Sequence, residues 1–196
     1  KVAPANAACY QLLASVYLRT GRRDEYIKTM KEGLEATRNT PGYIALLWHM
    51  ANSYIDSGNV KEANNTIQEL DRAKYVPARL AYLRARIEML NGNWAKARES
   101  FEKVRPQLMM SPDLLKYVDY YIGLCYGEGG QVEQQLTAFR RAVAQDTFFL
   151  PVRLAIAQVL SKSGDWDGAI REYRQALKSG RGNEAMALAL CRALLV

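Results

Sequence analysis

Histidine and cysteine are scarce in this chain of 196 residues, which has one histidine and three cysteines. A histidine-rich metal site is therefore excluded, and a histidine-based catalytic triad would depend on His49 alone. Cys9, Cys125 and Cys191 are odd in number and contain no Cys-x-x-Cys pair. Neither a complete disulfide framework nor a zinc site is indicated, and we expect small buried thiols. The sequence predicts no cofactor and no metal.

Long apolar runs are also absent. No stretch approaches the roughly 18 to 20 apolar residues of a membrane span, so we expect no membrane insertion. The first residues lack the continuous apolar core of a signal peptide, which makes the cytoplasm the default expectation. The missing initiator methionine suggests a fragment of a longer protein. No phosphate-binding glycine loop, Gly-x-Ser-x-Gly elbow or His-Glu-x-x-His motif occurs, so we predict that the chain is not an enzyme.

The composition is that of a chain that folds, with 49% hydrophobic and 24% charged residues. The formal net charge of +7 favours acidic partners, although it does not by itself indicate nucleic acid binding.

Five glycines mark an internal repeat. They are separated by 37, 34, 38 and 34 residues, and they are Gly21, Gly58, Gly92, Gly130 and Gly164. A segment with helical spacing of apolar residues precedes each glycine, and a similar phrase such as GNWAKARESFEKV or GDWDGAIREYRQAL follows it. Each unit thus predicts two antiparallel helices joined at the glycine. Such pairs cannot bury their apolar faces alone and must stack on their neighbours.

The residues at fixed offsets from these glycines carry a resemblance. The last full unit has Ile156, Ala157, Gly164, Trp166, Ala169, Tyr173 and Ala176, and the first has Tyr10, Leu13, Ala14, Tyr17 and Gly21. This pattern resembles the tetratricopeptide repeat (TPR) family. The resemblance implies an all-α fold, a right-handed α-solenoid of about five stacked helix-turn-helix units plus a C-terminal half unit. We expect a single array over 1–196, with units at about 7–40, 44–77, 78–111, 116–149 and 150–183, and with 184–196 as the first helix of a further unit.

Several positions depart from the family pattern. Tyr26 and Gln135 replace the alanine of the second helix, while Asp119 and Arg153 occupy the aromatic position of the first helix. The third unit has Arg84 and Glu88 where Leu and Tyr are expected. Either these two residues pair, or the helix is rotated so that Leu80, Leu83, Ile87 and Leu90 face inward.

The resemblance also implies a concave wall built from the first helix of each unit. On that basis we expect a non-catalytic scaffold that binds a segment of another protein or peptide. The predicted binding residues are Asn52, Arg79, Tyr82, Arg86, Tyr117 and Tyr120. Arg79, Tyr82 and Arg86 are spaced three and four apart, so they share one helix face. Aromatic residues and arginine are enriched at protein interfaces.

The nature of the partner stays open at this point. The TPR subclass that grips a C-terminal carboxylate uses five residues, of which only Asn52 and Arg86 match, so only a looser preference for an acidic partner is expected. An RNA-binding helical-repeat protein is the alternative, but no polar residue recurs at one offset to read bases, so nucleic acid is disfavoured. End-to-end self-association is a third option, through an apolar C-terminal surface that includes Leu188, Leu190, Leu194 and Leu195.

Overall fold

The computed structural model describes residues 6–178, and within this range it contains ten α-helices and no strand. The helices are α1 Ala7–Arg19, α2 Arg23–Thr37, α3 Gly42–Asp56, α4 Val60–Arg72, α5 Pro77–Leu90, α6 Trp94–Val104, α7 Pro112–Glu128, α8 Val132–Gln145, α9 Leu150–Lys162 and α10 Trp166–Lys178. A short 3₁₀ helix, Arg105–Leu108, extends α6 and carries Pro106 near its start, where an α-helix could not continue. The predicted all-α fold is confirmed.

The turn glycines adopt the left-handed conformation that the repeat requires. Gly58, with φ of 71°, follows Ser57, the C-cap residue of α3, and the next amide, that of Asn59, donates to the carbonyl of Tyr54 at 2.8 Å. This bond satisfies a helix-end carbonyl, and only glycine reaches such a φ without strain. The Asn59 side chain then accepts from the Glu62 amide at 3.3 Å and caps α4. One tight turn thus ends a helix and starts the next.

Paired helices approach each other at small residues, as the repeat pattern predicted. Among the buried alanines are Ala14, Ala51, Ala63, Ala85, Ala97, Ala142, Ala157, Ala169 and Ala176. Gly123 of α7 plays the same part, since a Cβ at this position would collide with the ring of Phe139 on α8. Gly127 faces Gln135 in the same manner, so the larger residue at the alanine position is accommodated by a glycine opposite it.

The chain divides into two compact units, residues 1–90 and 91–196. Helices α1 to α5 belong to the first unit and α6 to α10 to the second. In the second unit, α9 and α10 enclose a core cluster around Ala157, Ala169 and Tyr173, and α8 and α9 enclose another around Phe139 and Val152. The assignment of 1–196 to a single array of five repeats stays a prediction.

Helix α5 has the rotated register that was one of two alternatives. Leu80, Leu83 and Ile87 are buried, and Arg84 forms an ion pair with Asp71 of α4 at 2.7 Å. The expectation for Leu90 was wrong, because this side chain is 47% exposed. It is the last residue of α5 and precedes the exposed turn residues Asn91 and Gly92.

Two polar residues at the aromatic position are buried in ion pairs. Asp119 is fully buried, and Arg105 contacts its two carboxylate oxygens at 2.7 and 3.2 Å, while Arg141 lies 3.1 Å from one of them. Arg153 donates to Glu172 at 2.6 Å and to the Thr147 carbonyl at 2.9 Å. Electrostatic pairing therefore replaces the apolar contact of an aromatic ring at these two places.

The cysteines differ in their surroundings. Cys125 is buried and Cys9 is half-buried, and both are free thiols. Burial raises the pKa of the Cys125 thiol to about 12. Cys191 and the leucines of the predicted apolar C-terminal surface lie outside the described residues, as does the predicted half unit 184–196.

Enlarging a small residue at a helix crossing should destabilise the fold. Ala97→Leu and Ala169→Leu are each expected to cost roughly 1 to 3 kcal/mol, because three extra carbon atoms must enter a crossing where the alanine side chain is fully buried. Urea denaturation followed by circular dichroism measures the change. The exposed Ala73→Leu serves as the control, and parental stability in both crossing variants would show that the repeat register is wrong.

Removing the buried carboxylate should be more damaging. Asp119→Ala removes the buried carboxylate that Arg105 and Arg141 share. Both arginines are partly exposed and Glu102 stays 4.0 Å from Arg141, so we expect a loss of about 3 kcal/mol, the lower end for a broken buried pair. Asp113→Ala, which truncates a fully exposed carboxylate on the same helix, should change the free energy of unfolding by less than about 0.5 kcal/mol. Equal effects of the two changes in chemical denaturation would contradict the role assigned to Asp119.

Thiol labelling should separate the two cysteines. With a pKa of about 12, the Cys125 thiol is only on the order of 1 part in 10,000 ionised at pH 8, and it is also shielded. In a Cys191→Ser background, maleimide should label Cys9 in the native protein, and Cys125 only after unfolding. Mass spectrometry of tryptic peptides gives the result, and fast native labelling of Cys125 would contradict its burial.

Candidate partner-binding surface

Arg86 is the centre of a polar network in the first unit. Its guanidinium donates to the side-chain oxygen of Asn52 at 2.6 Å and to the carboxylate of Asp56 on the same helix, α3. The Asn52 amide in turn donates to the Trp48 carbonyl at 2.8 Å. Arg86 is only 6% exposed. The charge of Arg86 is therefore paired within the protein, and its hydrogen bonds hold α5 against α3.

Two stacked aromatic rings, those of Trp48 and Tyr82, lie next to this network, and we call them the aromatic row. Tyr82 stacks on Trp48 with ring centroids 6.1 Å apart, and the Arg86 guanidinium lies 5.7 Å from the Tyr82 ring. Arg79 donates to the Tyr75 hydroxyl at 2.9 Å and lies 5.8 Å from the Trp48 ring. Cation–aromatic contacts of this kind contribute about 0.5 to 2 kcal/mol each. The row and the polar network together hold the first-helix surface in one geometry.

Tyr117 and Tyr120 belong to a separate aromatic cluster in the second unit. Both rings pack edge-on against Phe149, with centroid distances of 4.8 and 5.7 Å. Lys116 lies 5.4 Å above Phe149 and pairs with Asp146 at 2.7 Å, and this hydrogen bond raises the lysine pKa above its usual value. Burial raises the pKa of the Tyr120 phenol. Tyr117 stays 38% exposed and presents its ring to solvent.

The structure therefore places the six predicted binding residues in two groups. Four of them, Asn52, Arg79, Tyr82 and Arg86, are linked by contacts within residues 1–90, and Tyr117 and Tyr120 share Phe149 within residues 91–196. Tyr82 is only 2% exposed, so it acts mainly by holding its neighbours. Tyr117 is exposed, and Asn52, Arg79 and Tyr120 are half-buried, so these four residues have surface left for a ligand.

A crevice in the first unit was missed by the sequence analysis. It lies between α1 and α3, has a volume of about 880 Å³, and its floor contains the buried side chains Ala14, Tyr26 and Met30. Leu12 and Leu18 line it from α1, and its α3 side consists of His49, Asn52, Ser53 and Asp56. Tyr26 was the available signal, since it stands where the repeat pattern has alanine.

Two features are absent from residues 6–178, the part of the chain that the structure describes. No helix in this range is long and apolar enough to cross a membrane. No group of three or more His, Cys, Asp or Glu side chains in this range is arranged to hold a metal ion.

Solved structures share the fold. A tetratricopeptide repeat protein from Parabacteroides merdae superposes with a TM-score of 0.78 at 14% identity, over 96% of this chain and 71% of its own. A TPR protein from Thermus thermophilus, TTC0263, gives a TM-score of 0.74 at 17% identity, over 97% of this chain and 100% of its own. PilW, described as a type IV pilus biogenesis factor, gives 0.68 at 15% identity, over 96% and 86%. At these identities the likeness concerns the all-α helical-repeat fold alone.

Sequence comparison gives the family. No curated protein matches the chain. One tetratricopeptide repeat pattern matches residues 50–108 and 154–196, and a second matches residues 7–40. The first of these covers more than half of the chain and the second covers α1 and α2, in agreement with the turn glycines, buried alanines and paired helices. The chain belongs to the tetratricopeptide repeat family.

Proposed function

We propose that the chain is a non-catalytic scaffold that binds a segment of a partner protein on the first-helix surfaces of its repeats. The proposal depends on the aromatic row, Trp48 and Tyr82, together with Arg86. The stacked rings and the paired charge hold this surface rigid before any ligand arrives. A rigid surface binds with less loss of conformational entropy than a mobile one.

Each unit offers its own contact residues. In residues 1–90 these are Arg79 and Asn52, supported from beneath by Tyr82 and Arg86. In residues 91–196 they are Tyr117 and Tyr120. Tyrosine provides a large contact area with little rotamer entropy to lose, and arginine provides forked donors for carboxylates and carbonyls. These are the residue types that dominate measured binding hot spots.

The charge of Arg86 is directed inward, which changes the role expected from the sequence. Because Asp56 and Asn52 occupy its donors, the residue supports the wall, and its guanidinium is not the group that we assign to an acidic ligand. Substituting Arg86 should therefore lower stability as well as binding. Substitutions of the contact residues Arg79 and Tyr117 therefore test the function more directly.

Photo-crosslinking should locate the partner. A photoreactive amino acid at position 79 or 117 is expected to capture the partner in the source cell, whereas the same amino acid at Lys61 or Glu102, on the second helices, should not. With the captured segment as a peptide, Arg79→Ala and Tyr117→Ala should each weaken binding about tenfold in calorimetry, and Lys61→Ala less than twofold. Strong capture from position 61 together with intact binding of the first two variants would refute the proposed surface.

A further inference from the structure

The crevice between α1 and α3 has chemistry of its own. We propose that it anchors a large aromatic side chain from an acidic segment of the partner protein. The inference rests on the proposed scaffold function and adds a specificity pocket to it. The crevice lies wholly within residues 1–90, and of its lining residues only Asn52 is one of the six binding residues predicted from the sequence.

The crevice is open because two positions that are apolar in the next repeat are polar here. His49 and Ser53 precede the turn glycine Gly58 by nine and five residues. Leu83 and Ile87 stand at the same offsets from Gly92, and both are buried. His49, by contrast, is exposed and lines the crevice. The α3 surface that faces α1 thus lacks the apolar side chains found at the equivalent positions of the next repeat. A crevice of about 880 Å³ remains between the two helices.

The floor of the crevice suits an aromatic ring. Tyr26 and Met30 are buried at its base, and burial raises the pKa of the Tyr26 phenol while a hydrogen bond with Ser53 opposes that rise. Aromatic rings pack favourably on thioether sulfur and on other rings. Leu12, which is 69% exposed, and Leu18 extend the apolar surface along α1. An apolar base with a few polar groups at one side is typical of ligand pockets, and 880 Å³ exceeds the space that one aromatic residue needs.

The charges around the crevice favour an acidic ligand. Its lining contains one cation, Arg23, and one anion, Asp56. The carboxylate of Asp56 is paired with Arg86, so its charge is balanced within the protein. Among the described residues no carboxylate forms an ion pair with Arg23, which is exposed at the start of α2. The remaining positive charge complements a carboxylate located next to the inserted ring.

Two small probes test this assignment without knowledge of the partner. N-acetyl-phenylalanine and N-acetyl-phenylalaninamide carry the same ring and differ in one negative charge. Titrated into protein with ¹³C-labelled methionine methyl groups, both should shift the Met30 signal, which a Met30→Leu variant identifies. The carboxylate probe should bind about threefold more tightly, the scale of one solvent-accessible charge pair. Arg23→Glu should reverse that order, and Lys28→Glu, on the same helix outside the crevice, should not.

A steric variant provides the second arm. Ser15 lines the crevice and bonds only to a carbonyl of its own helix, as does Ser100 of α6, so both should tolerate phenylalanine. Ser15→Phe should weaken both probes at least tenfold, whereas Ser100→Phe should leave them unchanged. Circular dichroism melts confirm that each variant is folded.

Several outcomes would overturn the inference. These are a Met30 signal that neither probe shifts, equal binding of the two probes in the parent, or unchanged binding after Ser15→Phe. None of them bears on crosslinking at positions 79 and 117, so the anchor pocket and the scaffold function fail or survive separately.

Discussion

The close crossing of two helices at an alanine or glycine is the contact on which the rest of this structure depends. Where Ala97 and Ala169 lie fully buried, the paired helices come near enough for the aromatic residue four positions later to reach the neighbouring helix. These residues are Phe101 in α6 and Tyr173 in α10, and both are buried. The turn glycine sets the pair antiparallel, but it is the small residue that sets their distance. Packing of one repeat on the next follows from that distance.

The helices and their buried faces could be predicted because both depend on local spacing. A left-handed glycine can end a helix with no information from distant residues, and alanines recur at fixed offsets from it. The partners of the site residues could not be predicted in this way. Arg86 forms hydrogen bonds with Asn52 and Asp56, which lie 34 and 30 positions earlier in the sequence. Whether its charge faces a ligand or a neighbouring helix depends on these distant contacts. The prediction for Leu90 was wrong because helical spacing indicates an inward direction along the whole helix, whereas this residue is the last of α5 and is exposed at the turn.

Departures from the repeat pattern fall into two physical classes. At Asp119 and Arg153 a polar residue replaces an aromatic one, and the loss is compensated, because Arg105, Arg141 and Glu172 supply the opposite charges. A buried ion pair needs its own partner, so a repeat that carries Asp119 packs well only beside one that supplies an arginine. The Arg105–Asp119 pair joins two neighbouring repeats and therefore contributes to the order in which otherwise similar helices stack.

The second class has no such compensation. At Tyr26, His49 and Ser53 the changes enlarge one residue and make two others polar, and the result is an open crevice with an apolar floor. Stability alone gives no reason to keep it, because apolar side chains at the equivalent positions of the next repeat are buried. Local rules that are broken without a structural gain are expected at functional positions. These uncompensated departures lie in α2 and α3, around the crevice. They distinguish this part of the chain from repeats whose residues serve packing alone.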